Sequence, residues 1–112
     1  MKISQEGVRA KGRKFTCREG GKVVGRAFLY VLRNDLHDQP FGLLEDVFVD
    51  PACRGKGLAT TLVQNVIAEA RKRGCYKLVA TSRHERAKVH DLYFRLGFKS
   101  RGIEFRMDLA DK

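Results

Sequence analysis

Arg54-Gly55-Lys56-Gly57-Leu58-Ala59 sets two cations and two glycines where a strand-like run, Leu43 to Val49, gives way to a long amphipathic helix. Glycine lets a backbone turn tightly and approach a ligand closely. The first N–H groups of a helix lack internal partners and lie at the positive end of its dipole. With Arg54 and Lys56 beside them, such a junction suits an anion, phosphate above all. Just upstream, Glu45 and Asp46 interrupt the apolar run Leu44-Glu45-Asp46-Val47-Phe48-Val49. A carboxylate in an apolar strand is costly unless paired or wetted. Neighbouring strand residues point to opposite faces. Regular alternation therefore predicts Glu45 on the face of Leu43, Val47 and Val49, and Asp46 on that of Leu44 and Phe48.

Two common phosphate loops do not match. A P-loop needs G-x-x-x-x-G-K-[ST], but Gly57 is followed by Leu58 and Gly55-Lys56 lacks the earlier glycine. The dinucleotide fingerprint ends in glycine or alanine and needs an acidic residue at the end of the next strand. Here the sixth position is Thr60, and the next strand ends at Ala80-Thr81-Ser82 without a carboxylate.

A third pattern fits. Arg54 to Ala59 reads R-x-x-G-x-A, which resembles the Q/R-x-x-G-x-G/A signature of the GNAT superfamily of N-acetyltransferases. Leu92-Tyr93-Phe94-Arg95-Leu96-Gly97-Phe98 resembles that family's second signature, a helix-borne tyrosine followed by a Gly-Phe strand start. Order and spacing agree, and the resemblance runs from roughly Gly20 to Leu109. It implies acetyl-CoA as cofactor, held by Arg54, Gly55, Lys56, Gly57, Leu58, Ala59 and Thr60 at its phosphates. It also implies an amine acceptor, small, polyamine-like or lysine-like, acetylated by direct attack in a ternary complex. The strand Leu44 to Val49 resembles that of diamine and polyamine acetyltransferases. By that resemblance Glu45 accepts the amine proton and Asp46 holds the cationic acceptor, or the two exchange roles. Backbone N–H groups of Val47, Phe48 and Val49 become the oxyanion donors.

The chemistry needs such groups. A lysine-like amine, with a pKa of about 10.4, must lose a proton to attack, and a departing thiolate, with a thiol pKa of about 8.5, gains from receiving one. Tyr93 matches the tyrosine that protonates the thiolate in the family. Arg86 stands where many relatives carry an asparagine that touches the pantetheine arm; an arginine there meets a phosphate or faces solvent. The plainer alternatives are strand carboxylates paired with neighbouring cations and a tyrosine on the apolar stripe of its helix. Two other functions compete: an acyl-CoA-binding regulatory module without catalysis, and a basic nucleic-acid-binding domain.

These residues need a scaffold. Lys14 to Arg18 and Lys22 to Arg33 read as a hairpin turned at Glu19-Gly20-Gly21. Leu43 to Val49 is a third strand. Leu58, Ala59, Leu62, Val63, Val66, Ile67 and Ala70 recur at helical spacing, predicting a helix over about Lys56 to Arg73 that ends at Gly74. Tyr76 to Ala80 follows as a buried strand, so strand, helix and strand predict a parallel pair with a right-handed crossover. Ser82-Arg83-His84-Glu85 reads as a capping box opening a second helix lined by Val89, Leu92, Tyr93 and Leu96. Phe98 to Arg101 and Ile103 to Leu109 predict a closing hairpin. The expected fold is α/β: a mixed, mostly antiparallel sheet with one parallel pair and two main helices, in one domain over residues 1–112. The helix pair that usually precedes the second strand of the GNAT fold has no counterpart in Met1 to Arg13.

Composition sets outer bounds. The 112 residues are 43% hydrophobic and 32% charged, ordinary for a globular domain. No apolar run reaches a membrane span, and Met1 to Glu6 lacks the apolar core of a signal peptide. Cys17, Cys53 and Cys75 are an odd number without metal spacing, so reduced thiols in a cytoplasm are expected. The net charge of +10 suits a polyanionic cofactor. Its scatter along the chain, with no RNA-binding aromatic motif, disfavours nucleic acid. A sheet edge left uncovered at the start of the fold predicts a homodimer.

Overall fold

A computed structural model describes residues 1–82 and 86–110. Their contacts divide the chain into two compact units, Met1–Ala80 and Thr81–Lys112.

The first unit is a four-stranded sheet in sequential order with one helix. Strands β1 (Ala10–Glu19) and β2 (Lys22–Leu32) form the expected hairpin. Gly20 and Gly21 take φ of +57° and +79° at its turn, a conformation that costs glycine nothing. The hairpin is longer than the predicted one, because the exposed residues Ala10 to Arg13 also pair with β2. Strand β3 (Phe41–Val49) runs antiparallel to β2, and β4 (Leu78–Ala80) parallel to β3.

Between them lies α1 (Leu58–Lys72). Its residues Leu62, Val63, Val66 and Ala70 are buried, and on the sheet so are Val24, Ala27, Leu29, Leu44 and Val49. These sets form the core; the α1 residues keep the 3.6 period and Ala27 and Leu29 the 2.0 period that the sequence displays. Arg73 caps the helix and Gly74, at φ +78°, turns the chain out of it; the Cys75 N–H closes back on the Ala70 carbonyl.

The second unit holds α2 (Ala87–Arg95). Arg86 is its N-cap, without a side-chain capping bond. The proposed capping box falls on Arg83, His84 and Glu85, which lie outside the described residues. Gly97, at φ +100°, ends the helix as expected, and the Phe98 N–H bonds back to Tyr93. The predicted closing hairpin is absent: residues 98–110 form no strand. Ile103, Phe105, Met107 and Leu109 do alternate as a strand would, but none is buried. Alternation prescribes which face is apolar and supplies no partner to pair with.

Candidate active site

Asp46 is where β3 departs from regular alternation. Glu45 pairs with Phe28 and Phe48 with Arg26, so Asp46 and Val47 together stand opposite Ala27. This is a β-bulge, two residues against one. Asp46 has φ +51°, the one non-glycine positive φ among the described residues. Aspartate tolerates that region better than most side chains.

The bulge corrects the expected faces. Leu43, Glu45 and Phe48 pair with Tyr30, Phe28 and Arg26, which alternate along one side of β2. Val49 pairs with buried Gly25 and so joins Leu44 on the α1 side. Glu45 thus shares its face with Phe48 and not with Val49. Asp46 is exposed at the kink.

The face around Glu45 is aromatic and rimmed by cations. The rings of Phe28 and Tyr30 stack with centroids 6.3 Å apart. Lys14 lies 5.7 Å from the Phe28 ring, and the Arg26 guanidinium 4.9 Å from that of Phe48. Arg26, Phe28 and Tyr30 belong to no motif in the sequence. Their i, i+2, i+4 spacing, out of phase with buried Ala27 and Leu29, was the available signal.

Beyond Leu44, β3 also loses its other neighbour. Gly42, Leu43 and Leu44 pair with Leu78, Val79 and Ala80, and the ladder stops there. Val49 lies five residues further on, so Glu45 to Val49 have β2 on one flank and no paired strand on the other among the described residues. Such a gap leaves main-chain groups available to a ligand.

At the end of β3 the chain makes a 3-10 turn, Pro51–Cys53, whose Asp50 carboxylate accepts from the Ala52 N–H at 3.1 Å. The loop follows. Gly55 and Gly57 have φ of +85° and +79°. A Cβ built on either would meet nothing within 4 Å, so φ rather than crowding demands glycine there. Helix α1 starts at Leu58 with Gly57 as N-cap and no side-chain capping bond. Its leading N–H groups, at Leu58, Ala59 and Thr60, thus have no side-chain acceptor at the cap. This open helix start suits a phosphate-bearing ligand.

The two loop cations differ. Arg54 donates from Nε to the Val49 carbonyl at 2.9 Å, and its guanidinium lies 5.6 Å from the Phe48 ring. Lys56 Nζ lies 3.5 Å from Glu19 Oε1 at the β1–β2 turn, an exposed pair of small energetic weight. Cys53 is a free thiol, half-buried.

Glu45, Asp46, the Val47–Val49 backbone and the Arg54–Thr60 loop all belong to the first unit. Tyr93 and Arg86 belong to the second. Tyr93 is half-buried on α2, with its ring 5.1 Å from that of Phe98. Arg86 is exposed. No group of residues able to hold a metal ion occurs among the described residues, and no helix there is long and apolar enough to cross a membrane.

Residues 4–98 match the family model described as "Acetyltransferase (GNAT) family". The chain is 34% identical over 90 residues to a glucosamine 6-phosphate N-acetyltransferase of Trypanosoma brucei brucei, with 80% of this chain and 59% of that protein covered. It is 32% identical over 113 residues to an aminoglycoside N(6')-acetyltransferase type 1 of Stenotrophomonas maltophilia, covering 96% of this chain and 74% of that one. Among solved structures, a putative acetyltransferase from Agrobacterium tumefaciens str. C58 superposes with a TM-score of 0.81 at 28% identity, over 87% of this chain and 68% of that one. The chain thus spans little more than half the length of the trypanosomal protein.

Proposed function

Since the chain belongs to the GNAT family of acetyltransferases, we propose that it is an acetyl-CoA-dependent N-acetyltransferase acting on the primary amine of a small molecule. One observation carries this reading. Strand β3 parts from β4 after Leu44 and then runs into a helix whose open N-terminus follows two left-handed glycines. A gap that exposes main-chain donors and a phosphate cradle at its end are what a long thioester with a pyrophosphate requires.

When bound, acetyl-CoA supplies the acetyl group as a thioester. The N–H groups of Leu58, Ala59 and Thr60, with Arg54 beside them, hold phosphate oxygens. Main-chain N–H groups of Val47 to Val49 donate to the developing oxyanion, in a segment where the bulge and the missing neighbour leave the ladder incomplete. Glu45 takes the proton of the attacking amine, directly or through water. Asp46, exposed at the bulge, draws the cationic acceptor towards the strand. Tyr93 delivers a proton to the departing sulfur; its place in the second family signature supports the assignment.

The acceptor we favour is an amino sugar. Two relatives are named for such acceptors. The Phe28–Tyr30 stack and Phe48 give a sugar ring flat apolar surface beside Glu45. Three free cysteines among the described residues fit a reducing cytoplasm.

The test is thiol release from acetyl-CoA with glucosamine 6-phosphate, an aminoglycoside, spermidine and a lysine peptide as acceptors. Calorimetry of acetyl-CoA binding to wild type and Gly57→Glu accompanies it. The proposal expects turnover with an amino sugar and loss of binding in the variant. Binding without turnover on any amine would leave a non-catalytic acyl-CoA module. Unchanged affinity in a folded Gly57→Glu protein would refute the phosphate cradle.

A further inference from the structure

Arg9, Lys11 and Arg13 stand on one face of β1, the strand at the edge of the sheet. Lys11 pairs with Val31 and Arg13 with buried Leu29. The ladder runs one pair past the strand, where the Arg33 N–H donates to the Arg9 carbonyl at 3.0 Å. Arg9 and Arg33 are thus set opposite each other, and like charges so placed repel. Arg13 Nε lies 4.0 Å from Glu69 on α1, so this face of β1 is turned towards the helix.

The last turn of α1 closes on the same place. Arg73 donates from Nε to Glu69 at 2.7 Å. That bond lowers the Glu69 carboxyl against some desolvation, and the charges of Lys72 and Arg13 lower it further. Burial raises the Cys75 thiol, and the charges of Arg33 and Arg73 oppose the rise, so these two arginines flank it. Six cations from three distant stretches of chain therefore meet around Glu69 between β1 and the end of α1. Asp35 and Asp38 follow Arg33 in the chain, and even counting them the cations are in twofold excess. All these residues belong to the first unit. Along the sequence the charges look scattered; the hairpin and the helix gather them.

Such an excess suits a partner with many negative charges. Four of the six are arginines, whose planar fork matches phosphate. The row on β1 is wholly cationic. Protein partners are held by buried apolar and aromatic anchors, membranes take inserted apolar side chains, and single strands need rings to stack on. A duplex needs only its phosphates met.

We propose that Arg9, Lys11, Arg13, Arg33, Lys72 and Arg73 form a docking surface for the phosphate backbone of a nucleic-acid duplex, without reading its sequence. The length of α1, roughly 21 Å from Leu58 to Lys72, separates this surface from the glycine-rich loop at the start of that helix.

Fluorescence anisotropy of a labelled duplex of about 20 base pairs, of arbitrary sequence, tests this on the whole chain. The slope of log K against log salt should be about −4 to −5, since each phosphate contacted contributes about 0.9. Arg9→Gln with Lys11→Gln should make the slope shallower by about two and weaken binding at 0.1 M salt about 10- to 100-fold. Lys14→Gln with Arg18→Gln removes the same charge from the other face of β1, where Lys14 pairs with Phe28 and Arg18 bonds to the Thr16 hydroxyl. It should change slope and affinity little. Melting temperatures confirm that both double variants fold, and saturating acetyl-CoA should leave the duplex bound. No binding at low salt would overturn the proposal, as would equal losses in the two double variants. Displacement by acetyl-CoA would move the duplex to the loop at the start of α1 and overturn it too. So would binding to phosphatidylserine vesicles or polyglutamate as tight as to the duplex.

Discussion

The Nε–H of Arg54 donates to the carbonyl oxygen of Val49 at 2.9 Å, tying the glycine-rich loop to the end of the strand that precedes it. The same guanidinium lies near the Phe48 ring, which Arg26 approaches more closely. Arg54 is therefore part of the loop's construction as well as a charge beside the start of α1.

Arg54→Ala should lower unfolding stability by about 1–2 kcal/mol, through the lost hydrogen bond and ring contact. It should also weaken acetyl-CoA binding. Arg54→Lys keeps the charge but lacks the guanidinium fork. It should lose a similar share of stability and retain more of the affinity. Urea titration paired with calorimetry separates the two effects. Equal stability of all three proteins would show that the bond to Val49 contributes nothing.

Glu45 and Tyr93 should part in their pH dependence. Glu45→Gln should depress turnover most at low pH, where the acceptor amine is mostly protonated, and raising the pH should partly restore it. Tyr93→Phe keeps the ring beside Phe98 and removes only the hydroxyl. Turnover should fall about 10²- to 10⁴-fold, or less where water substitutes, with acetyl-CoA affinity nearly unchanged and no recovery at high pH. Wild-type turnover of Tyr93→Phe at every pH would remove the acid role. A silent Glu45→Gln beside a dead Asp46→Asn would reverse the two carboxylates.

Gly42 is the residue at which β3 begins to pair with β4. A Cβ there would come 2.9 Å from Leu78 Cδ1 and 3.1 Å from Leu29 Cδ1. Gly42→Ala should cost about 1–3 kcal/mol as overpacking, read from the urea midpoint. A neutral result would mean that both leucines shift freely.

Glu69 accepts from Arg73 Nε at 2.7 Å, with Arg13 Nε at 4.0 Å. The hydrogen bond from Arg73 pulls its carboxyl below the ordinary glutamate range, against some opposing desolvation. A carboxylate whose folded pKa is depressed contributes stability above its unfolded pKa, about 4.3, and loses it as pH falls through the folded value. The melting-temperature deficit of Glu69→Gln should therefore hold from pH 7 down to about that unfolded pKa and shrink below it. A deficit independent of pH down to acid unfolding would contradict the ionic origin.

Much of the scaffold can be read from local residue order, because its cause is local. The stripe from Leu62 to Ala70 and the stop at Gly74 specify α1, and turn glycines specify the first hairpin. The Arg54 to Ala59 spacing marks the loop before any fold is known, since left-handed backbone and an open helix start demand those residue types in that order. The tertiary structure decided what depends on a neighbour. A bulge is a property of two strands, so the phase change at Asp46, which carries Glu45 to the side of Phe48, is invisible in either strand alone. The end of the β3–β4 ladder at Leu44 likewise reflects where two distant segments stop meeting. The pairing of Lys56 with Glu19 joins a loop to a turn almost forty residues earlier. At Ile103 to Leu109 the residue pattern is that of a strand, and among the described residues none pairs with it. Alternation selects a face through side-chain burial, but main-chain hydrogen bonds require a second strand at the right distance, and only tertiary or quaternary structure supplies one.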